Sequence, residues 1–171
     1  DEAFAQQAYT LIEKKEDNEV AATQLRFPLF IKPAKAGDSL GIDEQSLVHN
    51  KKELAEKVNS LQLEYKQVLA EEYIAGREFT ILIAANTDGH TSTTFKPGEF
   101  IFPQGFSYKT YALKTSELHP EANIPCNDPV IEQQLRDAAK RIFKGFNGAG
   151  YARLDVRMNE TGELFFLEIN F

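Results

Sequence analysis

Hydrophobic positions along the chain change their period several times, and each change marks an expected element. Residues 9–12 form a short β-like run, and residues 15–25 then carry Val20, Ala21, Ala22 and Leu25 at helical intervals, which predicts a strand followed by a helix. The segment FPLFIKPA, residues 27–34, is a compact apolar run beside prolines and predicts a buried strand ending at Lys32. After it comes AKAGDSLGI, where two glycines bracket Asp38, Ser39 and Leu40 and favour a flexible loop. Asn50 followed three residues later by Glu53 is a helix-start signal, and Leu54, Ala55, Val58 and Leu61 continue it at helical spacing over residues 50–60. Two β-like runs, 67–73 and 77–85, flank Ile74, Ala75 and Gly76, and the second enters the turn-rich Asn86-Thr87-Asp88-Gly89 before a hairpin partner at 91–96. Residues 97–129 have few periodic runs and read as a long irregular excursion with short strands. Asp128 and Pro129 then open a helix whose apolar face carries Ile131, Leu135, Ala138, Ala139, Ile142, Phe143 and Phe146.

The last two segments, 151–158 and 163–171, alternate in strand fashion around Asn159-Glu160-Thr161-Gly162 and predict a terminal hairpin. Strict alternation places Leu154, Val156 and Met158 on one face and Arg153, Asp155 and Arg157 on the other. On the partner strand it places Phe165, Leu167, Ile169 and Phe171 on one side and Phe166, Glu168 and Asn170 on the other, with Asp155 opposite or nearly opposite Glu168. The pattern as a whole is that of an α+β protein with two sheet-and-helix lobes, a smaller one over residues 1–74 and a larger one over 75–171.

Composition narrows the class. Apolar residues at 42% and charged residues at 26% are globular values, and the longest apolar stretch, residues 79–85, is far short of the roughly 20 residues of a membrane-spanning helix. A net charge of −7 argues against a nucleic-acid surface, which needs clustered Lys and Arg. The single Cys126 has no cysteine partner, which points to a reducing, cytoplasmic setting and a filler role. His49, His90 and His119 show no metal-ligand spacing and are expected at the surface. The chain begins at Asp1 and not at Met, and its last strand stops at Phe171, so it is expected to be a fragment of a longer protein.

Two clusters carry candidate chemistry. Asp155, Glu168 and Asn170 on one sheet face would be hard oxygen ligands of the kind magnesium prefers, with Arg153 beside them to hold a phosphate or an oxyanion. The same spacing equally describes a solvated face of weak surface ion pairs. Lys32 next to a glycine loop could face phosphates, although the loop has neither the Walker spacing nor G-x-G-x-x-G and is a weak signal alone.

Four segments in this order resemble the ATP-grasp superfamily, within it the D-alanine–D-alanine ligase-like branch. They are FPLFIKPAKAGDSLGI, VLAEEYIAGREF, FSYKTYALKT and GAGYARLDVRMNETGELFFLEIN. The resemblance implies an ATP-grasp fold whose two lobes hold a nucleotide in a cleft, and an ATP- and magnesium-dependent carbon–nitrogen ligase, with manganese as an alternative ion. Lys32 and Lys114 would contact phosphates, and Gly37, Ser39 and Gly41 would belong to the loop over the triphosphate. Glu71, Glu72, Tyr73 and Ile74 match the adenine-binding segment, Glu78 the ribose-binding acid, and Leu167 a residue packed on the base. Asp155, Glu168 and Asn170 match the metal ligands. Arg153, Lys114 and Ser39 match catalytic positions, Arg153 as the oxyanion-stabilising arginine.

The resemblance further implies small-molecule carboxylate and amine substrates, amino acids or peptides, a substrate domain ahead of this core, and compatibility with a homodimer. Two departures stand out. Asp38 replaces the first of two adjacent serines, and Thr115 replaces the aromatic that follows the phosphate lysine. Both argue against synthesis of the D-alanine dipeptide specifically. They leave room for a non-catalytic ATP-binding module with a regulatory or assembly role.

Overall fold

The computed structural model describes residues 7–37, 39–110 and 122–171. Lys114, Thr115, His119 and Asp38 lie outside the described residues. The chain groups into two compact units, one of Gln7–Tyr73 with residues 106–110 and one of Ile74–Gly105 with residues 122–171.

In the first unit the described strands β1 (Tyr9–Ile12), β2 (Leu29–Pro33), β3 (Leu47–Val48) and β4 (Val68–Glu72) form an antiparallel sheet in the order β1-β4-β2-β3. Alternation sends Leu29, Ile31, Val68, Ala70 and Ile12 inward, where they meet Ala21 of α1 (Asp17–Gln24) and Leu54, Val58 and Leu61 of α2 (Lys51–Gln62). Helix α2 starts where Asn50 and Glu53 said it would. The Asn50 side chain accepts from the Lys52 and Glu53 amides at 3.1 and 3.0 Å, while Glu53 accepts from the His49 amide at 2.8 Å. The two-residue β3 was not expected, because two residues are too short for any periodicity.

Residues 106–110, expected with the second lobe, pack in the first unit instead. The reason is aromatic: Tyr108 sits edge-on to Phe30 with ring centroids 5.0 Å apart, and its hydroxyl donates to the Asp43 carbonyl at 2.9 Å. Tyr73 donates its own hydroxyl to the Ser107 carbonyl at 2.7 Å.

In the second unit β5 (Arg77–Ala85), β6 (Ser92–Thr94), β7 (Gly98–Phe100), β8 (Asn123–Pro125), β9 (Tyr151–Met158) and β10 (Leu164–Asn170) make an antiparallel sheet ordered β10-β9-β5-β7-β8, with β6 paired to β5. Helix α3 (Pro129–Gly145) lies on one face. Asp128 caps it by accepting from the Val130 and Ile131 amides at 2.9 and 3.2 Å. Its Ile131, Leu135, Ala139 and Phe143 pack with Phe79, Ile81, Ile83, Ala152, Leu154, Val156 and Met158, and the buried Cys126 fills the same core. Each fully buried Leu, Ile or Phe in such a core contributes about 2 kcal/mol. No helix among the described residues is long and apolar enough to cross a membrane.

The terminal hairpin departs from strict alternation. Leu164, Phe165 and Phe166 pair with Met158, Arg157 and Val156, but the ladder then shifts, and Glu168, Ile169 and Asn170 pair with Asp155, Leu154 and Arg153. Leu167 is the extra residue, so two residues of β10 oppose one of β9, as in a β-bulge. The expected rows are corrected accordingly: Phe166 and Ile169 both pack on the core, as does Leu164, while Phe165 pairs with Arg157 on the opposite face. The pairing of Glu168 with Asp155 survives. In a ladder without the extra residue, Leu167 would have met Asp155, and Glu168 would have pointed at Leu154 and the core.

Deleting Leu167 should therefore regularise the ladder and be tolerated, since Phe166 stays on Val156 and Glu168 on Asp155. The loss of its partly buried side chain should cost about 1–2 kcal/mol, read by thermal melting. Complete unfolding would mean instead that the strand had been regular and every later side chain had changed face.

Candidate active site

The face of the second sheet away from α3 is built in rows across three strands. One row runs Glu168, Asp155, Thr80; the next, towards the hairpin turn, runs Phe165, Arg157, Glu78; a third, on the other side, runs Asn170, Arg153, Leu82. Asp155 accepts from the Thr80 hydroxyl at 2.8 Å and from the Arg153 guanidinium at 3.2 Å. The same Arg153 nitrogen lies 4.0 Å from a Glu168 oxygen. One guanidinium thus lies within ion-pair reach of both carboxylates. They differ in exposure: the Glu168 side chain is 55% exposed and Asp155 14%, with Arg153 at 47%.

Among the described residues, no three His, Cys, Asp or Glu side chains form a metal-binding group. A cation here would therefore rest on two carboxylates, with the exposed Asn170 amide next along the strand. Those are hard oxygen donors, suited to magnesium or manganese and unsuited to soft metals. Among the described residues one guanidinium, that of Arg153, faces the two acids, and hard oxygen donors of this kind fit a divalent ion.

Glu78 shares this sheet face but is enclosed. It is 7% exposed, and its Oε2 accepts from Arg157 Nε and an Arg157 terminal nitrogen at 3.2 and 3.1 Å. A further Arg157 nitrogen donates to the Ile74 carbonyl at 2.7 Å, and the guanidinium lies 5.4 Å from the Phe102 ring centre. Sequence reasoning placed Arg157 beside Asp155 on the polar face but gave it no role. It also passed over Thr80, although Thr80 stands two residues after Glu78 and so must share its side of β5. Leu167, expected against a base, is the partly buried bulge residue.

In the first unit Lys32 and Glu71 lie diagonally across β2 and β4, with Nζ 2.8 Å from Oε2. Glu72 does not join them. Strand alternation turns it to the other side, where it accepts from the Arg26 amide at 2.9 Å and from the Arg26 guanidinium at 3.0 Å. Tyr73 returns to the Lys32 side beside Phe30. Burial pushes the Glu72 carboxyl upward, but the hydrogen bonds from Arg26 outweigh it and hold the group below the usual carboxylate range.

The glycine loop follows directly from Lys32 and Pro33. Its tight turns close through Leu40 N to Gly37 O at 3.1 Å and Ile42 N to Ser39 O at 3.0 Å. Gly41 adopts φ +75, and a Cβ there would fall 2.7 Å from the Pro33 ring, so this position excludes larger residues. Ser39 is left-handed as well, at φ 59.

With this geometry in view, comparison with known proteins is decisive. The family model described as D-ala D-ala ligase C-terminus matches residues 2–171. The chain belongs to the D-alanine–D-alanine ligase C-terminus family. A D-alanine–D-alanine ligase B of Clostridium tetani is 32% identical over 98% of this chain and 47% of its own length. Among solved structures, the VanG D-Ala:D-Ser ligase from Enterococcus faecalis superposes with a TM-score of 0.77 at 23% identity, covering 98% of this chain and 48% of that one. The D-alanine–D-alanine ligase from Bacillus anthracis, solved in complex with ATP, superposes with a TM-score of 0.69 at 21% identity, covering 99% and 50%. The fold is that of the ATP-grasp ligases. The chain spans about half the length of the curated relatives it matches.

A pH prediction follows from Glu72. A carboxyl whose folded pKa is depressed contributes stability above its unfolded pKa and loses it as pH falls through the folded value. Glu72→Gln should lower the melting temperature by about 1–3 °C at pH 7. The gap from wild type should close as the pH is taken below the ordinary carboxylate range. A gap that persists in acid would show that Glu72 acts through packing and not through its charge.

Proposed function

We propose that the protein containing this chain is an ATP- and magnesium-dependent carboxylate–amine ligase that works through an acyl phosphate. The observation that carries the reading is the shared face of Asp155, Glu168 and Asn170, where among the described residues two carboxylates face the one Arg153 guanidinium, in a member of the D-alanine–D-alanine ligase C-terminus family. The activities named for the matched relatives support it, as does the ATP complex of the Bacillus anthracis protein.

In this reading Asp155, Glu168 and Asn170 would hold a divalent ion, which would supply positive charge to offset that of the phosphates. Lys32 contributes a point charge for phosphate, oriented by its pairing with Glu71. Lys114 and the loop residues Gly37, Ser39 and Gly41 add to that grip, with backbone amides of the loop facing anions. Tyr73, Ile74 and Leu167 provide apolar and backbone contacts to the base, and Glu78 contacts the ribose. Glu72, turned away by its bonds to Arg26, contributes through the strand end and not through direct contact.

ATP phosphorylates the substrate carboxylate; an amine then attacks the acyl phosphate and phosphate departs. Arg153, half exposed and fixed by Asp155, is placed to stabilise the negative charge that develops on the tetrahedral centre. No side-chain nucleophile is needed, and positioning does most of the catalytic work. Amino acids or peptides are the substrate class, acting with the rest of the protein, in the cytoplasm and in a form compatible with a homodimer.

Asp38 and Thr115, where the family carries serine and an aromatic, favour a substrate other than D-alanine, and they also support a second reading, an ATP-binding module without ligation. A screen of carboxylates and amines with the full-length protein, scored by ADP release, separates the two. Turnover stimulated by a carboxylate–amine pair, lost by about 100-fold or more in Glu168→Gln and Asp155→Asn, is the expected result. ATP binding with no stimulated ADP release favours the module, and wild-type turnover in both variants overturns the site.

A further inference from the structure

The buried pair between Arg157 and Glu78 calls for an explanation that fold stability does not supply. Arg157 occupies a strand position whose side chain is 4% exposed, and its acid partner is 9% exposed. Around them lie Phe165 and Phe100, their partners in the strand register, and the Phe102 ring. Replacing a buried ion pair by apolar residues of similar volume is often neutral or stabilising, because desolvation cancels the attraction. Apolar residues at 157 and 78 together would therefore suit the aromatic surroundings at least as well, whereas an apolar residue at 157 alone would leave the Glu78 carboxylate buried without its cation.

What an apolar residue could not do is reach both ends of the 74–78 segment. One arm of the guanidinium takes the Ile74 carbonyl at 2.7 Å, and the other two nitrogens take Glu78 Oε2 at 3.2 and 3.1 Å. Between these ends the chain is pressed onto the same strand: Gly76 stands at φ +137, and a Cβ there would come 2.1 Å from the Met158 carbonyl. Within the same stretch, Arg77 is tied to Glu99 by two bonds of 2.7 Å. The planar fork of an arginine suits such a two-ended task, whereas the single ammonium of a lysine does not.

We infer that Arg157 is a positioning residue for nucleoside recognition, holding the Ile74 backbone and the Glu78 carboxylate in the arrangement that meets the base and the ribose. The inference rests on the nucleotide reading above. It assigns Arg157 no contact with substrate; its effect runs through the two groups it fixes, and it is selective for the nucleoside end of the ligand over the phosphate end.

The test uses full-length protein with magnesium and two probes, ATP and inorganic tripolyphosphate, titrated calorimetrically. Arg157→Met and Arg157→Lys should weaken ATP about tenfold while leaving tripolyphosphate unchanged. Any turnover should show a raised KM for ATP with little change in kcat. Arg136→Met is the structural control, because Arg136 also bridges two elements through Thr94 and Glu132 but lies on the α3 side. It should leave both probes unaffected. Parallel weakening of ATP and tripolyphosphate in the Arg157 variants, or no weakening of either, overturns the role.

Should the variants not fold, hydrogen exchange on the wild-type protein decides: ATP must slow exchange across residues 74–79 more than tripolyphosphate does, and equal protection overturns the inference. A wild-type protein that binds no ATP removes the nucleotide reading and this inference together, whereas ATP binding indifferent to Arg157 removes the inference alone.

Discussion

One extra residue in the last strand decides which face Glu168 and Asn170 share. The side-chain period of a strand is two, so every residue after Leu167 depends for its direction on whether Leu167 is counted in the ladder. Because it is not, Ile169 reaches the core and pairs with Leu154, while Glu168 and Asn170 stand beside Asp155 and Arg153. The sequence FFLEIN could not otherwise satisfy both demands, since Phe166 and Ile169 are an odd number of residues apart and yet share a face. A bulge is the local device that reconciles packing with the site.

The two sheets solve the same problem in the same way. Each sets one face against helices, with Leu29, Ile31, Val68 and Ala70 in the first unit and Phe79, Ile81, Leu154 and Val156 in the second. Each leaves the other face for polar groups. On that second face, acids are matched with bases at short range, Lys32 with Glu71 in one unit and Arg157 with Glu78 in the other. Among the described residues the exception is the pair Asp155 and Glu168, which share Arg153. Local imbalance of this kind, and not the overall charge of the chain, is what marks a place for a cation.

Much of this was legible before any coordinates. The helices α2 and α3 are announced by Asn50 with Glu53 and by Asp128 with Pro129, because capping is a local interaction between residues a few positions apart. The hairpin faces of β9 follow from alternation alone. The bulge was not legible, since nothing in the residue types around Leu167 distinguishes an extra residue from a paired one; the odd spacing of Phe166 and Ile169 becomes informative only once both are known to be buried. Thr80, Arg157 and the return of residues 106–110 to the first unit depend on contacts between distant segments, as Thr80 with Asp155 and Tyr73 with Ser107 illustrate. Pairings of that kind leave no periodic trace. The opposite directions of Glu71 and Glu72, by contrast, follow from strand alternation alone.

Exposure separates the three cations on these polar faces by what each can do. Arg157, at 4%, has spent all its reach on the protein and can act only by holding other groups. Lys32, at 29%, keeps a paired ammonium near the surface, where a phosphate could compete with Glu71 for it without any large change of solvation. Arg153, at 47%, is the most accessible, and its longer contacts to Asp155 and Glu168 leave it the freest to follow charge as that charge appears. A group that stabilises developing charge must meet the ligand, and the groups that define its surroundings must already be committed before the ligand arrives.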